Sequence, residues 1–193
     1  DAVQFAHSKA TLHRDLKPSN ILLAAAPERV DCPWTTHVSD FGLAKVLLPS
    51  PDQEMDSREE RVLLGTIHYM SPEQAEEKKE LIGIPSDLFS LGAILYEVLT
   101  LRRPFEGKNS WETMDRIVNR PLPSIRRENP WVPKDLEAIV MRCLAKHPND
   151  RYHSAGELAD DLERFLSNQP TRARACGPWL LLSCWSRRNP KLA

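Results

Sequence analysis

The chain is 193 residues long, enough for one domain with a sizeable core. Hydrophobic residues make up 41% and charged residues 27%, and a net charge of −1 supplies no global field to attract nucleic acid or an acidic substrate. Cys32, Cys143, Cys176 and Cys184 form no C-x-x-C pair and have no histidine at zinc-ligand spacing, so reduced, cytosolic thiols are expected rather than a disulfide framework or a zinc site.

No signal peptide is read in the opening residues. "DAVQFAHSKA" (1–10) already has helical character, as if the chain began inside an element. "HRDLKPSN" (13–20) is too polar for a core strand, and Pro18 keeps it out of a helix interior. The "ILL" directly after it (21–23) predicts a buried strand, and "THVSDF" (36–41) a second one, joined to the first through the Pro-containing "AAAPERVDCPW". From Gly42 to Pro72 the sequence is irregular, with Pro49, Pro51 and the charged run "DQEMDSREER"; so long a loop in a compact domain is functional or disordered. Helices follow. "SDLFSLGAILYEVLT" (86–100) is apolar nearly all round and should be central, whereas "SWETMDRIVN" (110–119) is amphipathic and mostly exposed. "DLEAIVMRCLAK" (135–146) places Leu136, Ile139, Val140, Cys143 and Leu144 on one stripe. "SAGELADDLERFLSN" (154–168) opens with Ser154 and Glu157 as a capping box and should bury Leu158, Leu162, Phe165 and Leu166.

The chemistry concentrates near the front. Asn20 and Asp40, presented by two adjacent short strands, offer oxygen ligands suited to Mg²⁺ (or Mn²⁺) that keeps the rest of its shell for water and phosphate. Asp15 is a carboxylate able to accept a proton, and Lys17 a cation able to neutralise a phosphoryl group. A base, a cation and two metal ligands are what in-line phosphoryl transfer to a hydroxyl requires.

"HRDLKPSN" and the "DFG" at 40–42 resemble the catalytic loop and metal-binding motif of eukaryotic-type protein kinases. "GTIHYMSPEQ" (65–74) is similar to the end of their activation segment, with Ser71-Pro72-Glu73 where Ala-Pro-Glu is usual. "SDLFSLGAILYEVLTLRRPFEG" and "CLAKHPNDRYHSAGEL" resemble the central and closing helices of the large lobe, and the pattern looks most like bacterial members. The resemblance implies an α+β, mostly α fold over residues 1–168: a kinase large lobe with one short β hairpin near the N-terminus and a buried central helix. It implies transfer of the ATP γ-phosphoryl to Ser or Thr hydroxyls of proteins. Position by position, Asp15 stands as base, Lys17 as the cation on the transferred group, Asn20 and Asp40 as metal ligands, and Leu22 beneath the adenine. Phe41 and Gly42 set the angle of Asp40. Thr66, bridging Asp15 and Lys17, marks the Ser/Thr branch. Asp87 would hold the backbone of the His13–Arg14 turn, with a plain helix-cap role behind Ser86 as the alternative. Glu73 and Arg151 would form a buried ion pair.

Arg14, expected buried beside the base, and Lys45 would welcome a phosphate on the activation loop, for which Ser50, Ser57 and Thr66 are the hydroxyls at hand; a loop ordered without modification is the alternative. The chain contains no G-x-G-x-x-G before an apolar strand and no Val-Ala-x-Lys, so the small lobe of the family is missing and little activity is expected from the chain alone. A pseudokinase or docking module without turnover is the second reading. Residues 169–193 carry Arg172, Arg174, Arg187, Arg188 and Lys191 and no acid, around an apolar "WLLLSCW" too short to span a bilayer. They read as a basic, juxtamembrane-like tail suited to an anionic membrane surface, placing the protein on the cytoplasmic side with an anchor beyond residue 193. A second kinase molecule is a further expected partner, and nucleic acid is not.

Overall fold

The computed structural model describes residues 1–26, 33–41 and 66–174. A first helix, α1 (Ala2–Ser8), buries Val3, Ala6 and His7. A 3-10 turn over Pro18–Asn20 then leads into strand β1 (Ile21–Ala25), paired antiparallel with β2 (Trp34–Val38) in register from Ile21 opposite Val38 to Ala25 opposite Trp34. The rest of the described chain is helical: α2 (Pro72–Ala75), α3 (Ile84–Thr100), α4 (Ser110–Asn119), α5 (Ile125–Glu128), α6 (Lys134–Cys143) and α7 (Ala155–Leu166).

The expected central helix is α3. Gly83 opens it in an extended conformation and donates its N–H to Ser86 Oγ at 3.1 Å, with Pro85 in the first turn where its missing donor costs nothing. Leu88, Phe89 and Ala93 are fully buried, together with Ile67, Ile117, Ile125 and Ile139 from the surrounding elements. Helix α6 crosses α3 at Gly92, where a β-carbon would lie 2.6 Å from Cys143 Cβ; only glycine lets the two backbones approach this closely. Burial pushes the Cys143 thiol up to about 12, so it behaves as an apolar core residue. Cys32, Cys176 and Cys184 lie outside the described residues.

Three expectations need correction. Strand β1 is not buried: Leu22 is 53% and Leu23 64% exposed, and only Ile21 and Val38 of the ribbon pack onto the core. A two-stranded ribbon has no second layer to cover its outer face. In α7, Ser154 caps as expected, accepting from Glu157 N, but the Glu157 carboxylate accepts from His153 N, one residue earlier than in a capping box. Leu166, expected in the core, is 76% exposed, because the apolar face of α7 runs out toward the surface where the helix ends.

Ordered packing also continues beyond residue 168. The Asp161 carboxylate, fully buried, accepts from Tyr152 Oη (2.7 Å), Arg172 N (2.6 Å) and Ala173 N (2.9 Å), Thr171 is buried, and Arg174 meets Asp135 at 2.9 Å. Residues 175–193 of the expected tail lie outside the described residues, and among the described residues no helix is long and apolar enough to cross a membrane.

Candidate active site

The loop between α1 and β1 is fixed from beneath by Asp87. Its Oδ2 accepts from His13 N at 2.9 Å and its Oδ1 from Arg14 N at 2.8 Å. The helix-cap alternative fails, because Ser86 caps through its own hydroxyl and Asp87 turns inward, 1% exposed. A third partner, His7 Nε2 at 2.8 Å from Asp87 Oδ2, was not anticipated. The signal was available: His7 stands four residues after Val3, on the buried stripe of α1.

Arg14 takes a left-handed conformation (φ 67°), held by its N–H on Asp87 and by its carbonyl, which accepts from Gln74 Nε2 at 2.9 Å. This turn points the side chain outward. Arg14 is exposed, not buried as expected, because both backbone groups face the body. Its neighbour His13 is fully buried. Its Nδ1 accepts from Asp15 N (3.3 Å), which leaves the ring proton on Nε2 to donate to Ser39 O (2.8 Å). The His13 and Phe41 rings pack tilted, 4.6 Å between centroids. One side chain thus ties the loop to the end of β2.

Asp15, 9% exposed, receives Lys17 Nζ at 2.8 Å, and the same ammonium donates to Thr66 Oγ1 at 3.1 Å. The expected bridge exists with a different centre: Lys17, not Thr66, joins the other two. Asn20 is buried and donates Nδ2 to Asp15 O at 2.9 Å, and among the described residues its amide oxygen has only a long contact, from Ser19 Oγ at 3.4 Å. The ribbon then brings Ser39 beside Asn20, with Ser39 N donating to Asn20 O at 2.9 Å, and Asp40 follows at φ 60° with an exposed carboxylate. Among the described residues no three His, Cys, Asp or Glu side chains cluster closely enough to hold a metal by themselves.

Behind this loop, Glu73 and Arg151 pair fully buried, with Nη1 to Oε1 at 2.7 Å and Nη2 to Oε2 at 2.8 Å. Every guanidinium donor is used: Nε reaches Ala145 O, and the remaining N–H groups reach Pro85 O and Lys146 O. Burial would raise the Glu73 pKa, but the hydrogen bonds and charge of Arg151, with the Ser86 hydroxyl at 2.7 Å, outweigh it and hold the carboxyl below its usual range. Segment 66–70 is held to the lobe separately, by Tyr69 Oη on Glu97 (2.5 Å), Ser90 Oγ on Tyr69 O (2.7 Å) and His68 Nδ1 against Phe105 O (3.1 Å). Gly42, Lys45, Ser50 and Ser57 lie outside the described residues.

The arrangement joins a proton-accepting carboxylate, an ammonium and an amide oxygen on one braced loop. The profile of the protein kinase domain family matches residues 1–161, and the chain belongs to that family. Its relatives include the serine/threonine-protein kinase PknB of Mycobacterium leprae, 35% identical over 173 residues, and that of Mycobacterium tuberculosis, 36% identical over 174. The serine/threonine-protein kinase PrkC of Bacillus subtilis is 35% identical over 162 residues. These alignments cover 89%, 89% and 84% of this chain but only 26%, 26% and 23% of the relatives, so the chain spans about a quarter of their length.

Proposed function

We propose that the chain carries the catalytic machinery of a protein serine/threonine kinase, which moves the γ-phosphoryl of ATP onto a Ser or Thr hydroxyl. The observation that carries this reading is the Asp15–Lys17–Thr66 cluster on a loop braced by Asp87. The substrate hydroxyl oxygen bonds to the γ-phosphorus while the bond to the β,γ-bridging oxygen breaks; Asp15 takes the hydroxyl proton and ADP leaves. Lys17, already on Asp15, is placed to follow the charge of the transferred group.

The donor set fits Mg²⁺. Asn20 has its Nδ2 committed to Asp15 O, which turns the amide oxygen toward the site, and the Asp40 carboxylate is exposed. One amide and one carboxylate leave most of an octahedral shell to phosphate and water. When bound, the ion supplies charge neutralisation to the phosphates. Leu22, half exposed on β1, gives an apolar surface for the adenine ring.

Arg14, turned outward, is free to meet a phosphate on the activation loop together with Lys45; Ser50 and Ser57 are the favoured acceptors, since the Thr66 hydroxyl is engaged by Lys17. The basic stretch 169–193 is proposed to meet an anionic membrane surface on the cytoplasmic side.

The test is phosphoryl transfer from labelled ATP to Ser/Thr peptides by the chain with a PknB-type small lobe fused before Asp1. Asp15→Asn should slow it by roughly 10²–10⁴-fold, the usual worth of a positioned base. An unchanged rate in Asp15→Asn would remove the assignment of the base. No transfer in the parent fusion, with ATP still bound, would favour the docking-module reading.

A further inference from the structure

The end of α3 carries a residue that its backbone does not favour. Leu101 closes the helix with φ 56°, the left-handed position that glycine occupies at low cost, and its side chain is 88% exposed. Trp131, on the α5–α6 loop that is bonded to this helix end, is 92% exposed, and one turn back from Leu101 Val98 is 66% exposed. These side chains are presented by rigid backbone. Asn129 Nδ2 donates to Leu99 O at 2.8 Å, Trp131 N donates to Asn129 Oδ1 at 3.2 Å, and Arg102 meets Glu128 at 2.8 Å, so the helix end and the α5–α6 loop form one surface. A strained leucine and a bare indole, held together in solvent, are neither core nor ordinary surface.

The surrounding charge narrows the partner. Stretches 101–105 and 120–134 contain Arg102, Arg103, Arg120, Arg126, Arg127 and Lys134; the acids here are taken up, Glu128 by Arg102 and the adjacent Asp135 by Arg174. Arg102, Arg120, Arg127 and Lys134 are exposed, whereas Arg103 lies 3.9 Å from Glu97 and from Glu106. The chain's own continuation is no complement to such a face: residues 175–193 carry Arg187, Arg188 and Lys191 and no acid. A second copy presenting the same face would meet it with like charge. A soluble polyanion would match the rim but leave the leucine and indole idle.

We propose that this face, Val98, Leu101 and Trp131 with the exposed Arg127 and Lys134 flanking the Trp131 loop, rests on an anionic membrane surface. An exposed Trp with a branched aliphatic neighbour inserts at headgroup level, and basic side chains around it meet the lipid phosphates. The last described residue, Arg174, meets Asp135, four positions after Trp131, at 2.9 Å. The inference extends the tail's proposed lipid contact to the folded body, and its test keeps the tail intact so that the two fail separately.

The experiment uses the full 193-residue chain in co-sedimentation with phosphatidylcholine vesicles, alone or with added phosphatidylserine, and with heparin as a soluble polyanion. Leu101→Gly and Trp131→Ser should each weaken binding to the anionic vesicles roughly tenfold, by loss of inserted apolar area. Neither should change heparin binding. Leu101→Gly also relieves the left-handed strain, so its melting temperature should equal or exceed the parent's while lipid binding falls, a combination that misfolding cannot produce. Anionic vesicles should slow amide exchange over 98–102 and 127–132. Parent-like vesicle binding by both variants, or exchange in those segments that vesicles leave unchanged, would overturn the proposal and leave any lipid contact to the tail. Slowing by heparin equal to that by vesicles, with the two variants unaffected, would assign the face to a soluble polyanion and overturn it as well.

Discussion

A carboxylate buried on an apolar helix is costly unless its lone pairs are matched, and Asp87 matches them with His7, His13 N and Arg14 N. The lone orphan in this group is His7 Nδ1, buried without a partner. Glu73 and Arg151 solve the same problem by bidentate pairing, which makes the pair sensitive to loss of either member. Glu73→Gln should destabilise the fold by about 3–5 kcal/mol near neutral pH, since it leaves the buried guanidinium without its counter-charge. The sign with pH follows from the depressed carboxyl pKa. Unfolded chains take up a proton near the ordinary value of about 4.3 while the folded chain resists it, so the pair's contribution is complete above that value and is lost as pH falls through the lower folded value. Denaturant midpoints of parent and Glu73→Gln should therefore differ widely at neutral pH and converge as the solution is acidified below that range. A constant difference down to acid pH would contradict the assignment.

Helix α3 carries the architecture because it is contacted on several sides, and its crossing with α6 is closely packed. At Gly92 two effects compete. Alanine favours helix by about 1 kcal/mol over glycine, but its β-carbon would meet Cys143 Cβ at 2.6 Å and Leu144 Cγ at 3.1 Å. The Cys143 β-carbon is fixed to its backbone and cannot swing aside, so overpacking wins, and Gly92→Ala should cost a net 1–3 kcal/mol, roughly, in urea unfolding. An unchanged or raised midpoint would mean that the crossing relaxes at little cost. The ribbon β1–β2 is the opposite case. It forms from backbone pairing and β-branched residues, yet contributes little to the core, since only Ile21 and Val38 pack inward. Its role is to carry Asn20 and Asp40 to one end.

Across the molecule, the segment following α7 is bound back to the body by Asp161, by the burial of Thr171 and by the Arg174–Asp135 pair. Asp161 gathers Tyr152 Oη, Arg172 N and Ala173 N, and its hydrogen bond and charge, after burial, push the Tyr152 phenol well above its usual range. Asp161→Ala removes the acceptor of all three donors and should release residues 171–174. Limited trypsinolysis should then cut after Arg172 and Arg174 at least tenfold faster than in the parent, an opening of roughly 1.4 kcal/mol, while the lobe itself stays resistant. Equal rates would show that Thr171 burial and the Arg174–Asp135 pair hold the segment without Asp161.

The grouping of the candidate site was legible locally. "HRDLKPSN" stands out because a carboxylate, a cation and an amide lie within one loop's reach, and that spacing survives in the linear chain. The long apolar periods announced α3, α4, α6 and α7 for a similar reason: a repeat near 3.6 residues is a property of the segment itself. What depended on one element meeting another could not be read this way. His7 reaches Asp87 across 80 positions; its place on the buried stripe of α1 marks it as inward-facing, but not which partner it meets. Arg14 turns outward because Asp87 and Gln74 take its backbone from the far side, so an arginine that looked buried is exposed. Lys17 became the centre of the Asp15–Thr66 bridge through the position of Thr66, 49 residues away. Apolar character alone predicted burial for Leu22, Leu23 and Leu166, but burial requires a second surface, and the described residues provide none over them. Local spacing specifies which groups can do chemistry; the packing of distant elements decides which way each one faces.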